Sequence, residues 1–145
     1  MKTIINTVPF KEYPIQTIIP IFNKLGYHYV ELHCGHFFSN PYSITKTIEL
    51  IKEYDMHIEM MAGGWCDFFL ADGYIEETEK SLKKQVELMN YLHCRKLRLF
   101  LGRFAVKYYD KDVRRRLLRN LYKLSTTYPE ITFCFETHDE VSLDT

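Results

Sequence analysis

Glu136, His138, Asp139 and Glu140 crowd the five positions that follow the apolar run Ile131-Thr-Phe-Cys-Phe135. Carboxylates bind divalent cations and take up protons, and an imidazole exchanges a proton near neutral pH, so this cluster has the makings of a metal or acid/base site. A second group, Glu31 and His33, closes the run Tyr29-Val-Glu-Leu-His33, and Arg98 lies within Lys96-Leu-Arg-Leu-Phe-Leu101. Trp65 follows two glycines, Gly63 and Gly64, whose freedom permits a sharp turn that presents an aromatic wall. In proteins built from βαβ units, ligands gather at the carboxyl ends of the strands, where all of these residues stand. The chain runs five residues past Glu140, so it is expected to stop inside its own site.

The elements that must position these side chains follow from periodicity. Short β-branched or apolar runs at Thr3–Val8, Tyr29–His33, His57–Met61, Lys96–Leu101 and Ile131–Glu136 are predicted strands. Between them, helical stripes are formed by Ile15, Ile18, Ile19, Phe22 and Leu25, then Ile44, Ile48 and Ile51, then Ile75, Leu82, Val86, Met89 and Leu92, then Val113, Leu117, Leu121 and Leu124. Pro14 suits a first helical turn, Gly26 a helix stop, Asp72 and Asp110 N-caps, and Pro129 a position beyond a helix end. The expected pattern is (βα)4β, an α/β fold with parallel strands, as one partial domain over residues 1–145.

Two architectures satisfy that pattern: an open, flavodoxin-like sheet and the first half of a TIM (β/α)8 barrel. Side chains alternate across a strand, which sets Val30 and Leu32 against Glu31 and His33, and Leu97, Leu99 and Leu101 against Arg98 and Phe100. The same rule sets Ile131, Phe133 and Phe135 against Thr132, Cys134, Glu136 and His138, and Ile58 and Met60 against His57, Glu59 and Met61. A doubly wound sheet carries helices on both faces and needs apolar side chains on both. One greasy face and one polar face favour the half barrel, with helices outside, and Thr7-Val8-Pro9-Phe10 after the first strand offers no glycine-rich phosphate loop.

Composition narrows the function classes. With 145 residues and 46% hydrophobic content, the chain can bury one core, and Lys+Arg and Asp+Glu balance at 19 each, which argues against a nucleic-acid partner. Arg114, Arg115 and Arg116 are consecutive and fan around a helix into solvent. Cys34, Cys66, Cys94 and Cys134 are scattered without metal-finger spacing, and the apolar N-terminal run is too short to cross a membrane, so a cytoplasmic protein with reduced thiols is expected.

Asn6-Thr-Val, Leu25-Gly-Tyr-His-Tyr-Val-Glu-Leu32, Ala62-Gly-Gly-Trp-Cys-Asp-Phe68, Leu97-Arg-Leu-Phe-Leu-Gly102 and Phe135-Glu-Thr-His-Asp139 resemble, in order, the first five strands of the xylose isomerase-like TIM barrels. That superfamily holds sugar (phosphate) isomerases and epimerases, inosose dehydratase-like proteins and endonuclease IV-like AP endonucleases. The resemblance implies a sugar or sugar phosphate substrate and a divalent metal (Mn2+, Mg2+, Co2+ or Zn2+) held by acidic residues and a histidine at the ends of strands five to eight. Glu136 matches the first of those ligands and is the implied catalytic residue. Strands six to eight, which carry the others, lie outside the resemblance, so this chain by itself is expected to be inactive.

Each candidate carries a plainer alternative. Glu136 and Glu31 can be structural partners of Arg98, and Glu31 and His33 stand where the family shapes its substrate. His138 can bind a sugar hydroxyl or belong to a solvated loop. Trp65 can wall a sugar pocket or pack under the rim, as can Phe10, and Asp67 can cap a turn. The run His33-Cys34-Gly-His36 resembles a metal site, but alternation turns His33 and Cys34 to opposite faces. Two other functions remain: an AP endonuclease-like nuclease, disfavoured because strand four ends in Leu101-Gly102-Arg103 rather than histidine, and a non-catalytic half barrel that dimerises through its open sheet edges.

Overall fold

A computed structural model describes residues 2–38, 44–64, 66, 68, 75–102 and 110–136. Its elements are β1 (Ile4–Asn6), a 3-10 turn (Val8–Phe10), α1 (Ile15–Lys24), β2 (Tyr29–His33), α2 (Gly35–Phe38), α3 (Ile44–Glu53), β3 (His57–Ala62), α4 (Ile75–Tyr91), β4 (Lys96–Phe100), α5 (Lys111–Thr127) and β5 (Thr132–Glu136). The strands form one parallel sheet in the order β1-β2-β3-β4-β5. A doubly wound sheet reverses direction at a switch point, and this sequential order has none, so the open flavodoxin-like alternative gives way to the half barrel.

Local chemistry explains the boundaries. Asp110 caps α5 by accepting hydrogen bonds from the peptide N–H groups of Asp112 (2.9 Å) and Val113 (2.8 Å). Gly26 stops α1 with φ +83°, a left-handed conformation that glycine adopts without steric cost. The Asp72 cap lies outside the described residues. Two short turns of helix, Val8–Phe10 and α2, were not legible as periodic stripes, and the predicted first strand is correspondingly shorter.

Ile15, Ile18, Ile19 and Phe22 of α1, Leu82, Val86 and Met89 of α4 and Leu124 of α5 pack with Val30, Leu32, Met61, Leu97 and Leu99 of the sheet in one buried cluster. Phe133 and Phe135 of β5 pack against it. Leu25, expected in the α1 stripe, is instead exposed beside the helix stop.

The third strand departs from simple alternation. Pairing with β2 shifts between Val30 and Glu31, with Val30 opposite Ile58 but Glu31 opposite Met60, so Glu59 is an extra residue. This bulge reverses parity beyond it. Met61, rather than Met60, joins Leu32 and Leu97 on the helix-covered face, correcting the predicted grouping of Ile58 with Met60.

Candidate functional site

The face turned away from the helices carries the polar residues. Register places Asn6 beside Glu31 and Met60, His33 beside Ala62 and Arg98, and Arg98 beside Cys134, with Glu136 closing the row beside Phe100. Ala62 stands between His33 and Arg98 and presents only a methyl group. The Arg98 side chain therefore crosses β3 and its Nε donates to Glu31 on β2. At its other end Nη1 meets the Glu136 carboxylate on β5. Arg98 and Glu31 are largely shielded from water, whereas Glu136 remains 42% exposed at the strand end. Glu31, Arg98 and Glu136 thus converge as one triad, the ion pairing given from the sequence as the plainer alternative for both carboxylates.

One layer lower, Lys2 and Lys96 both bond Glu59, the bulge residue, with Lys96 Nζ 2.5 Å from Oε1. These hydrogen bonds hold the Glu59 carboxyl at about 2, well below its ordinary range.

The end of β2 is fixed by Thr7, fully buried just after β1. Its N–H donates to the Glu31 carbonyl (3.0 Å) and its Oγ1 accepts from the His33 N–H (2.7 Å). His33 and His36 meet edge to face, ring centroids 6.2 Å apart. Nδ1 of His33 and Nε2 of His36 are buried with no hydrogen-bond partner among the described residues. Burial, then the nearby Lys11 and Arg98 charges, lower the His33 pKa against a weaker opposing pull from Glu31. Burial, then the neighbouring His33, lower that of His36 against a hydrogen bond to the Thr7 backbone.

Gly35 permits this approach, because a Cβ there would lie 2.6 Å from His33 Cε1. Cys34 is buried and its thiol is pushed up to about 11 by burial. Among the described residues His33, Cys34 and His36 do not form a group placed to hold a metal ion.

The loop after β3 is held by two buried amides that sequence reading missed. Gln85 of α4 accepts from the Gly64 N–H (3.1 Å) and donates from Nε2 to Ser81 Oγ (3.0 Å), and Asn120 of α5 donates to the Phe68 carbonyl (2.6 Å). Phe68 N–H in turn reaches the Leu101 carbonyl (3.0 Å). The available signal was a glutamine and an asparagine on the apolar sides of helical stripes, where an unpaired amide is costly. Trp65, Asp67 and His138 lie outside the described residues. Phe10 packs edge to face on Phe22, ring centroids 5.3 Å apart, as a core contact.

Among the described residues no group of three His, Cys, Asp or Glu side chains is placed to hold a metal ion. Glu136, the one implied ligand among them, is engaged by Arg98, so these residues alone do not fit a metal centre. Among the described residues, no helix is long and apolar enough to cross a membrane.

No family model matches the chain, and no curated protein matches it in sequence. Solved structures do match its fold. A probable 3-DHS dehydratase, AsbF, involved in petrobactin synthesis in Bacillus anthracis, superposes with TM-score 0.81 at 20% identity over 95% of this chain and 53% of that one. The IOLI protein with a binding zinc atom gives TM-score 0.76 at 14% identity over 97% of this chain and 54% of that one. D-psicose 3-epimerase in the presence of D-fructose gives 0.73 at 16% identity over 98% and 54%. The chain spans about half the length of these three structures, and its fold is similar to half of a TIM barrel of the kind seen in xylose isomerase-like proteins.

Proposed function

We propose that this chain supplies the front half of a metal-dependent sugar or sugar phosphate isomerase or epimerase. The observation that carries the reading is the position of Glu136: the C-terminal end of β5, on the face opposite the helices, in a row with Arg98 and Glu31. A carboxylate there can bind a cation, and at 42% exposure it is reachable from solvent. In the complete barrel Glu136 is the first of several metal ligands, with Mn2+, Mg2+, Co2+ or Zn2+ supplying polarisation of a substrate carbonyl. Glu31, Arg98 and His33 line the adjoining wall and orient hydroxyl or phosphate groups, and His138 and Trp65 are proposed as further substrate contacts.

The test is interconversion of ketoses and their phosphates in D2O with Mn2+, followed by NMR. The 145-residue chain alone is expected to give no turnover, and a barrel-length protein containing it to exchange the proton beside the carbonyl. A barrel-length protein that binds metal and leaves every sugar of the panel unchanged contradicts the reading.

One observation favours a second, non-catalytic reading. β1 is an edge strand of the sheet and Ile4 on it is exposed, a surface suited to pairing between two copies. A mass that doubles with concentration in size-exclusion chromatography supports pairing; a monomer at every concentration removes it.

A further inference from the structure

Among the described residues the ion pairs of the polar face balance in charge. Its lower layer sets Lys2 and Lys96 on Glu59, and its upper layer sets Arg98 between Glu31 and Glu136. Three cations meet three carboxylates, and every carboxylate named already has a cation in contact. A divalent ion arriving at Glu136 meets a guanidinium at that same carboxylate and adds two charges to a neutral column. Arg98 is also held in place: most of its side chain is shielded, its Nε is committed to Glu31, and its guanidinium carbon lies 5.7 Å from the Phe100 ring centroid.

We propose that Arg98 is the resident cation of this site and excludes a divalent metal ion from Glu136 in this chain. The inference rests on Glu136 being the cation-facing carboxylate of the proposed isomerase, and it adds a switch to that site. Metal enters only when other donors, or an anionic ligand that draws the guanidinium away, change the balance around Arg98.

The experiment is titration of the full chain with Mn2+, the free ion being counted by electron paramagnetic resonance. Wild type is expected to take up little Mn2+, and Arg98→Gln to bind at least about tenfold more tightly, because a full positive charge has left a weakly solvated site. That gain is expected to vanish in Arg98→Gln combined with Glu136→Gln. Equal affinity in wild type and Arg98→Gln, or a gain that survives Glu136→Gln, overturns the proposal.

Should Arg98→Gln fail to fold, the wild-type chain answers through the Arg98 Nε–Hε resonance. It is expected to hold its position when Mg2+ replaces a monovalent salt of equal ionic strength, and movement to a solvent-like position under Mg2+ overturns the proposal. Both readouts are binding or spectroscopic. Absent turnover in a barrel-length protein therefore leaves this inference standing, and its own failure leaves turnover to be measured.

Discussion

His33 and His36 stand edge to face at the end of β2, ring centroids 6.2 Å apart, each with a buried ring nitrogen lacking a partner among the described residues. Both pKa values lie below 6.5, principally because of burial. Well above 6.5 both imidazoles are neutral in folded and unfolded chains alike. As pH falls below 6.5 the unfolded chain takes protons first, so stability declines until the folded pKa values are reached. The urea midpoint is expected to drop between pH 7.5 and 5.5. His36→Phe, which removes one titrating ring, is expected to flatten that drop. Parallel profiles for wild type and His36→Phe count against the pair as its source.

Gly63 has no room for a side chain. A Cβ there would lie 2.4 Å from Gln85 Oε1 and 2.6 Å from Leu99 Cδ2, with the Arg98 carbonyl at 3.0 Å. Gly63→Ala is expected to destabilise the fold by about 1–3 kcal/mol, since backbone on one side prevents relief. A thermal midpoint equal to wild type contradicts this packing.

Gln85 acts on the same loop through its amide. Gln85→Leu leaves the Gly64 N–H without its acceptor, at an expected cost of about 1–3 kcal/mol. Hydrogen exchange at Gly64 is the sharper readout: faster in the variant by the proposed anchoring, unchanged if Gln85 merely fills space.

At the start of α5, Asp110→Ala removes the acceptor of two N–H groups. A loss of about 1 kcal/mol is expected, with Asp110→Asn retaining most of the wild-type stability. Equal stability of wild type and the alanine variant in chemical denaturation argues against the cap.

The barrel topology was legible because alternation at Val30/Leu32 and Leu97/Leu99 separates a greasy face from a polar one. Tyr29–His33 appears with the predicted bounds, and Asp110 caps as expected. Convergence of Glu31, Arg98 and Glu136 was foreshadowed by parity and by the pairing of both carboxylates with Arg98 expected as the plainer alternative; the reach across β3 passes the small Ala62, which parity alone does not show. The β3 bulge was hidden because Ile58, Met60 and Met61 are all apolar, so hydropathy cannot count an inserted residue there. Gln85, Asn120 and Thr7 were passed over because each is a lone polar residue whose partner is a peptide group distant in sequence.

The most direct measurement of the central claim is proton exchange beside the carbonyl of ketose substrates in D2O with Mn2+, in a barrel-length protein containing this chain, for wild type and Glu136→Gln. Wild type is expected to incorporate deuterium, and Glu136→Gln, correctly folded by circular dichroism, to lose activity by roughly a hundredfold or more, the scale of a lost acid/base or metal-binding group. Undiminished exchange in Glu136→Gln would contradict the assignment of the site.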